Sequence, residues 1–174
     1  MFAQAFSTTV NLLPDGKPIC SLAHKLPRGG TFDTVITAAS IGQTSVEAMM
    51  ILAAKMPGGH GIPVGVKLKK FVMPEELKFE AKRVLQSQLQ FDNANNAINA
   101  LKDEGLSVVT NRYLASSSNW FGVTDAKLGI LVIWTEKPNL VEVGMDLNRA
   151  TVYSGNMMLG ISAVNPRRLL GSAI

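Results

Sequence analysis

Residues 128–134, LGILVIW, form a continuous apolar run, and this run constrains the fold more than any other segment. Crossing a membrane as a helix takes roughly 20 apolar residues, and the chain has no uninterrupted stretch of that length. Seven residues that include Val, Trp and two Ile read instead as a β-strand buried on both faces. The β character continues, with interruptions, through LVEVGMDLNRATVYSGNMMLGISAV, where Val141, Val143 and Met145 alternate with polar or small residues.

Two segments have helical spacing instead. In SVEAMMILAAKM, Val46, Met49, Met50, Ala53 and Ala54 recur at i, i+3, i+4, i+7 and i+8. Thr44 or Ser45 is placed to cap this helix, and Pro57, Gly58 and Gly59 stop it. Its methionine-rich stripe reads as a core or subunit-contact face, since Met fills irregular gaps. In KKFVMPEELKFEAKRVLQS (69–87), Phe71, Val72 and Met73 read as a brief strand, and Pro74 fits the first helical position. Glu75 and Glu76 then complement the positive helix end, Lys82 and Arg83 the negative end, and Leu77, Ala81, Val84 and Leu85 line one face.

The remaining segments connect these elements. Pro14, Asp15 and Gly16 predict a hairpin or sharp bend, residues 23–39 a long surface loop, and the Asn-rich stretch 90–105 an irregular loop. MFAQAF reads as the last turn of a helix, LSVVTN as a strand, and the closing NPRRLLGSAI shows no period. With no internal repeat and no evident linker, the fold class is α+β.

The chain's 174 residues, 47% hydrophobic and 17% charged, are those of a globular protein with one well-buried domain. A mean hydropathy of +0.18 is high for a soluble chain, so surplus apolar surface is expected to be covered by other protein. The opening residues lack the ordered sections of a secretory signal, which points to assembly in the cytoplasm. The net charge of +4 comes from cations scattered along the sequence, with small clusters only at KLKK (67–70) and PRR (166–168). These read as solvated surface in preference to a nucleic-acid face.

Candidates for chemistry are few. One cysteine, Cys20, excludes an internal disulfide framework, and two histidines, His24 and His60, leave little for a metal site. Cys20 and His24 stand four apart, but Pro18 argues against helical geometry and no third, orienting group is evident. His60 lies in a glycine-rich turn with no phosphate-loop spacing. Glu75, Glu76 and Glu80 lack apolar surroundings that would make them acids or bases. Ser116, Ser117 and Ser118 lack a nucleophile elbow and read as turn residues. Tyr113, Trp120, Phe121 and Trp134 read as anchors for core or intersubunit contacts, and Arg167 and Arg168 as an exposed tail that could meet a neighbour's carboxylates or DNA. No catalytic, cofactor-binding or metal residue is assigned; the competing readings are a basic nucleic-acid-binding module and a Cys-dependent enzyme.

In their order, several of these pieces resemble the major capsid proteins of tailed bacteriophages with the Hong Kong 97-like fold, especially the major head subunits of Mu-like phages. The resemblance runs through AF with DGKPICSLAH, then TSVEAMMILAAKM with its Gly-Pro segment, then KKFVMPEELKFEAKRVLQS. It continues through NNAIN, LSVVTNRYLASSSNWFGVTD and RATVYSGNMMLGISAVNPRRLLGS, covering nearly the whole chain. It implies no reaction and no cofactor. It implies a structural subunit closing into the hexamers and pentamers of an icosahedral virion shell around double-stranded DNA, held by nonspecific contact. Scaffold, portal or decoration proteins would be further partners, no membrane is involved, and assembly would occur in the bacterial host cytoplasm. Residues 44–133 would form the axial domain, with 1–43 and 134–174 peripheral. The chain starts where the family's spine helix would be ending. The expectation is that the N-terminal arm, extended loop and spine helix are missing, and contacts made by them are not carried over.

Overall fold

The computed structural model describes residues 5–7, 13–89, 98–145 and 151–172. It divides into two compact units, Met1–Gly129 with Ala163–Ile174, and Ile130–Ser162. In chain order the elements are β1 (His24–Lys25), β2 (Thr31–Phe32), α1 (Gln43–Ala54), β3 (Leu68–Met73) and α2 (Lys78–Gln86). They continue with β4 (Ser107–Thr110), β5 (Trp120–Thr124), β6 (Ile130–Met145), β7 (Thr151–Ala163) and β8 (Leu169–Ser172). This is a mixed helix and sheet fold, as the periodicities imply.

The larger unit is organised by a four-stranded sheet in the order β4-β3-β5-β8. β3 and β4 run parallel, and the crossover between them carries α2 and a 3-10 turn at Ala100–Glu104; the β3/β5 and β5/β8 pairs are antiparallel. Alternation along each strand divides the side chains between two cores. Phe71, Met73, Trp120 and Leu170 join Val46, Met49 and Ala53 of α1 and Ala81, Val84 and Leu85 of α2. Val72, Phe121 and Leu169 face the other way, onto Leu13, Ile19, Cys20 and Phe6 of the N-terminal segment. Phe71 and Trp120 stack tilted at 5.6 Å between ring centroids, and the Trp120 indole donates to the Ala39 carbonyl at 3.0 Å. A Cβ on Gly122 would sit 2.5 Å from Met49 Sδ, so only glycine lets α1 approach β5 this closely.

The two helices form where their stripes predict, with different ends. Neither Thr44 nor Ser45 caps α1: the cap is Gly42, and Ser45 lies one turn in, accepting from the Gly42 N–H at 2.9 Å. Ser45 is free for this because its hydroxyl also donates to the Ser40 carbonyl, which holds the incoming chain. After Pro74 the chain first makes a 3-10 turn, Glu75–Leu77, and only then α2.

Three connecting segments differ from expectation. Residues 23–39 are not a surface loop throughout: β1 and β2 pair antiparallel there, and His24, Phe32 and Thr34 are buried. The Gly29, Gly30 pair marks the hairpin turn of this small ribbon and not a mobile excursion. The closing segment is not aperiodic, because Pro166–Arg168 forms a 3-10 turn with Asn165 as cap and β8 follows, buried at every position. In the Asn-rich stretch, residues 90–97 lie outside the described residues. Asn99 caps the 3-10 turn by accepting from Leu101 N and donates to the Val84 carbonyl at 2.7 Å. Of MFAQAF, residues 1–4 also lie outside the described residues, while Ala5 and Phe6 form a turn.

The second unit is a two-stranded ribbon of β6 and β7. Gly160 lies beside the Ile133 carbonyl and Gly155 beside that of Asn139, so the numbers rise on one strand as they fall on the other and the pair is antiparallel. Here the expectation for LGILVIW is overturned. Leu131, Val132, Ile133 and Trp134 are all exposed, and Trp134 keeps 45% of its surface open. Apolar continuity specifies that a strand will be covered, but not that the same chain covers it.

Candidate assembly surface

The Cys20 and His24 constellation resolves into a structural knot. His24 is fully buried, with Nδ1 2.8 Å from Asp15 Oδ2 and Nε2 3.0 Å from the Ile19 carbonyl and 3.1 Å from Thr34 Oγ1. Thr34 in turn accepts from Ser21 N and donates to the Ile19 carbonyl. A third, orienting residue therefore exists: it is Asp15, placed by the bend at 14–16, where it also accepts from Lys17 N. Its signal was the Pro-Asp-Gly turn itself, nine residues before the histidine. Yet Asp15 orients the imidazole toward backbone and Thr34, not toward Cys20. The thiol is buried, and burial pushes its pKa far up, which is the opposite of an activated nucleophile. A concavity of about 710 Å³ opens beside the first turn of α1, lined by Thr37, Ser40, Gln43 and Glu47 among others, and neither Cys20 nor His24 borders it.

Of the carboxylates around the start of α2, Glu76 and Glu80 are exposed, and Glu75 is occupied. Glu75 accepts from the Thr110 hydroxyl at 3.1 Å, and that bond, with Lys78 and Arg112 nearby, holds its carboxyl below the usual range. It remains an ionised surface group linking the 3-10 turn before α2 to β4. Ser116 accepts from Ser118 N and Asn119 N, a turn role, and His60 is exposed.

Arg167 and Arg168 are not an exposed tail. Arg167 Nε donates to the Pro57 carbonyl at 2.9 Å, and its guanidinium lies 4.7 Å from the Phe32 ring centroid. Arg168 donates to the carbonyls of Thr124 and Ala126. Both act as clamps within the larger unit. Exposed cations include Lys67, Lys69 and Lys70, where the β3/β5 ladder slips between Leu68 and Lys70. Of the aromatic anchors, Trp120 and Phe121 are core, whereas Tyr113 is 90% exposed and Trp134 stands on the ribbon.

The ribbon is the surface that remains to be explained. More than half of the exposed large apolar side chains among the described residues lie on β6 and β7, about a sixth of the chain. Leu140, Val143, Tyr153 and Met157 are examples, and successive residues such as Met157 and Met158 are exposed together, so both faces are apolar. Single exposed apolar residues are ordinary, but a contiguous set on both faces of one element marks an interaction surface.

A family model described as phage capsid protein matches residues 1–171. The chain belongs to that family. Among curated proteins nothing matches. Among solved structures, a virus-like particle from Pyrococcus furiosus is similar at 10% identity, over 80% of this chain, with a TM-score of 0.43. The chain spans 56% of the length of that solved chain, and the likeness is too remote to carry any property across. Sequence reasoning located the apolar run but not its exposure. The available signal was the lack of clean apolar-polar alternation in both strands, combined with the high mean hydropathy.

Proposed function

We propose that this chain is the major shell subunit of a tailed phage head, built on the Hong Kong 97-like fold and nearest to the Mu-like head subunits. Copies close into hexamers and pentamers around double-stranded DNA. Residues 44–133 serve as the axial domain, and 1–43 and 134–174 as the peripheral parts. The observation that carries the reading is the β6/β7 ribbon, whose apolar faces have no cover within the ribbon itself and whose natural cover in a capsid protein is another subunit. DNA contact is nonspecific, assembly takes place in the host cytoplasm, and scaffold, portal or decoration proteins are accessory partners.

Negative-stain electron microscopy of purified protein across salt and crowding conditions tests this. Closed shells or rings of five and six support it. Dispersed subunits under every condition, or tight binding of short duplexes without any particle, overturn it.

A further inference from the structure

The two strands of the ribbon treat their outer edges differently. In a two-stranded sheet each strand pairs along one edge and leaves the other free. β6 carries Glu136, Lys137, Pro138 and Glu142, the charges and proline by which natural sheets keep an edge from pairing. β7, TVYSGNMMLGISA, has no charged residue and no proline in 13 residues. An unguarded edge of that length, about 40 Å of strand, is a pairing surface.

We propose that the free edge of β7 pairs antiparallel with the β7 edge of a second copy, joining two ribbons into one four-stranded sheet about a two-fold axis. The inference rests on the shell-subunit reading, which supplies the second copy, and adds which backbone edge makes the contact. Three observations select this occupant. A two-fold contact sets a strand against itself, so any charge near its centre would face its like; β7 has none. Pairing β7 with a neighbour's β6 would meet Pro138, which lacks an N–H, and would repeat head to tail into an open-ended sheet. The other described edges do not fit: β4 has four residues, and the outer side of β8 is occupied by Thr34 and Ile36 bonding to Gly171.

A cysteine scan tests the pairing. Single substitutions from Tyr153→Cys to Ile161→Cys are oxidised mildly under assembly conditions and run on non-reducing gels, with Val141→Cys on β6 as control; the buried Cys20 adds no background. Disulfides need Cα atoms within about 7 Å, so dimer is expected to peak roughly tenfold at one or two neighbouring positions near Met157. Pairs equidistant on either side then link only when mixed. Hydrogen exchange of the unsubstituted protein, dispersed against assembled, is the second readout. Every β7 amide is expected to slow, while alternate β6 amides stay fast. A flat scan, a peak at Val141→Cys, or β7 amides that stay fast in particles overturns the pairing and leaves the shell reading standing. Linked dimers without closed particles in the microscope retain the pairing and overturn the shell reading.

Discussion

Nδ1 of His24 lies 2.8 Å from Oδ2 of Asp15, joining the first bend of the chain to β1 beneath the sheet. Burial acts to raise the Asp15 carboxyl, but the His24 hydrogen bond, the Lys17 amide, the His24 charge and the Lys25 amide together hold it below its ordinary 3.8. A carboxyl depressed on folding stabilises fully above its unfolded value, and that contribution disappears as pH falls through the folded one. Urea midpoints between pH 7 and pH 2 are therefore expected to drop more steeply below 3.8 for the wild type than for Asp15→Asn. Parallel acid limbs would remove the role. His24→Ala, which leaves a cavity and takes the imidazole partner from Asp15, is expected to cost about 3 kcal/mol at neutral pH.

Trp120 separates packing from hydrogen bonding. Trp120→Ala empties the space against Phe71 and is expected to lower stability by about 3–5 kcal/mol in chemical denaturation. Trp120→Phe keeps an aromatic body but gives up part of the indole's packed volume and the bond to the Ala39 carbonyl, which still accepts from Ser172 Oγ; about 1–2 kcal/mol is expected.

Gly129 and Arg168 meet at the point where the larger unit hands the chain to β6. A Cβ on Gly129 would lie 2.0 Å from Arg168 Cβ, an atom that moves only with its backbone, while the Gly129 carbonyl accepts from Val164 N. Gly129→Ala is expected to destabilise by about 1–3 kcal/mol and to hasten proteolysis next to Val164, checked by thermal unfolding and limited trypsin or chymotrypsin digestion.

Cys20 separates a structural thiol from a catalytic one. Its burial and raised pKa imply that a thiol reagent at neutral pH reacts slowly with folded protein and rapidly in denaturant, the folded rate following the unfolding equilibrium. A fast, saturable reaction of the folded protein would revive the enzyme reading.

The ribbon should behave as contact surface and not as core. Leu140→Lys and Val143→Glu replace exposed side chains, so each is expected to shift the unfolding free energy by no more than about 0.5 kcal/mol. The same changes are expected to abolish particles in the microscope.

What could be read from the sequence was whatever is encoded locally. The stripe of α1, the strand at Phe71 to Met73 and the aromatic anchor Trp120 each follow from a few neighbouring residues. Elements made by distant partners were not legible: β8 exists because Leu169 and Leu170 meet β5 from opposite sides, and β1 because His24 finds Asp15 and Thr34. The ribbon failed for a different reason. An apolar run specifies side chains that water disfavours, and nothing in LGILVIW says whether its own chain covers them; here it does not.

The chain has two tryptophans, Trp120 fully buried and Trp134 45% exposed on β6, so iodide quenching of intrinsic fluorescence reports the ribbon directly. In dispersed subunits one accessible and one protected population are expected. On assembly the accessible population should vanish and the emission shift to the blue. Closed particles in which Trp134 stays as quenchable as in free subunits would show that copies do not cover the ribbon.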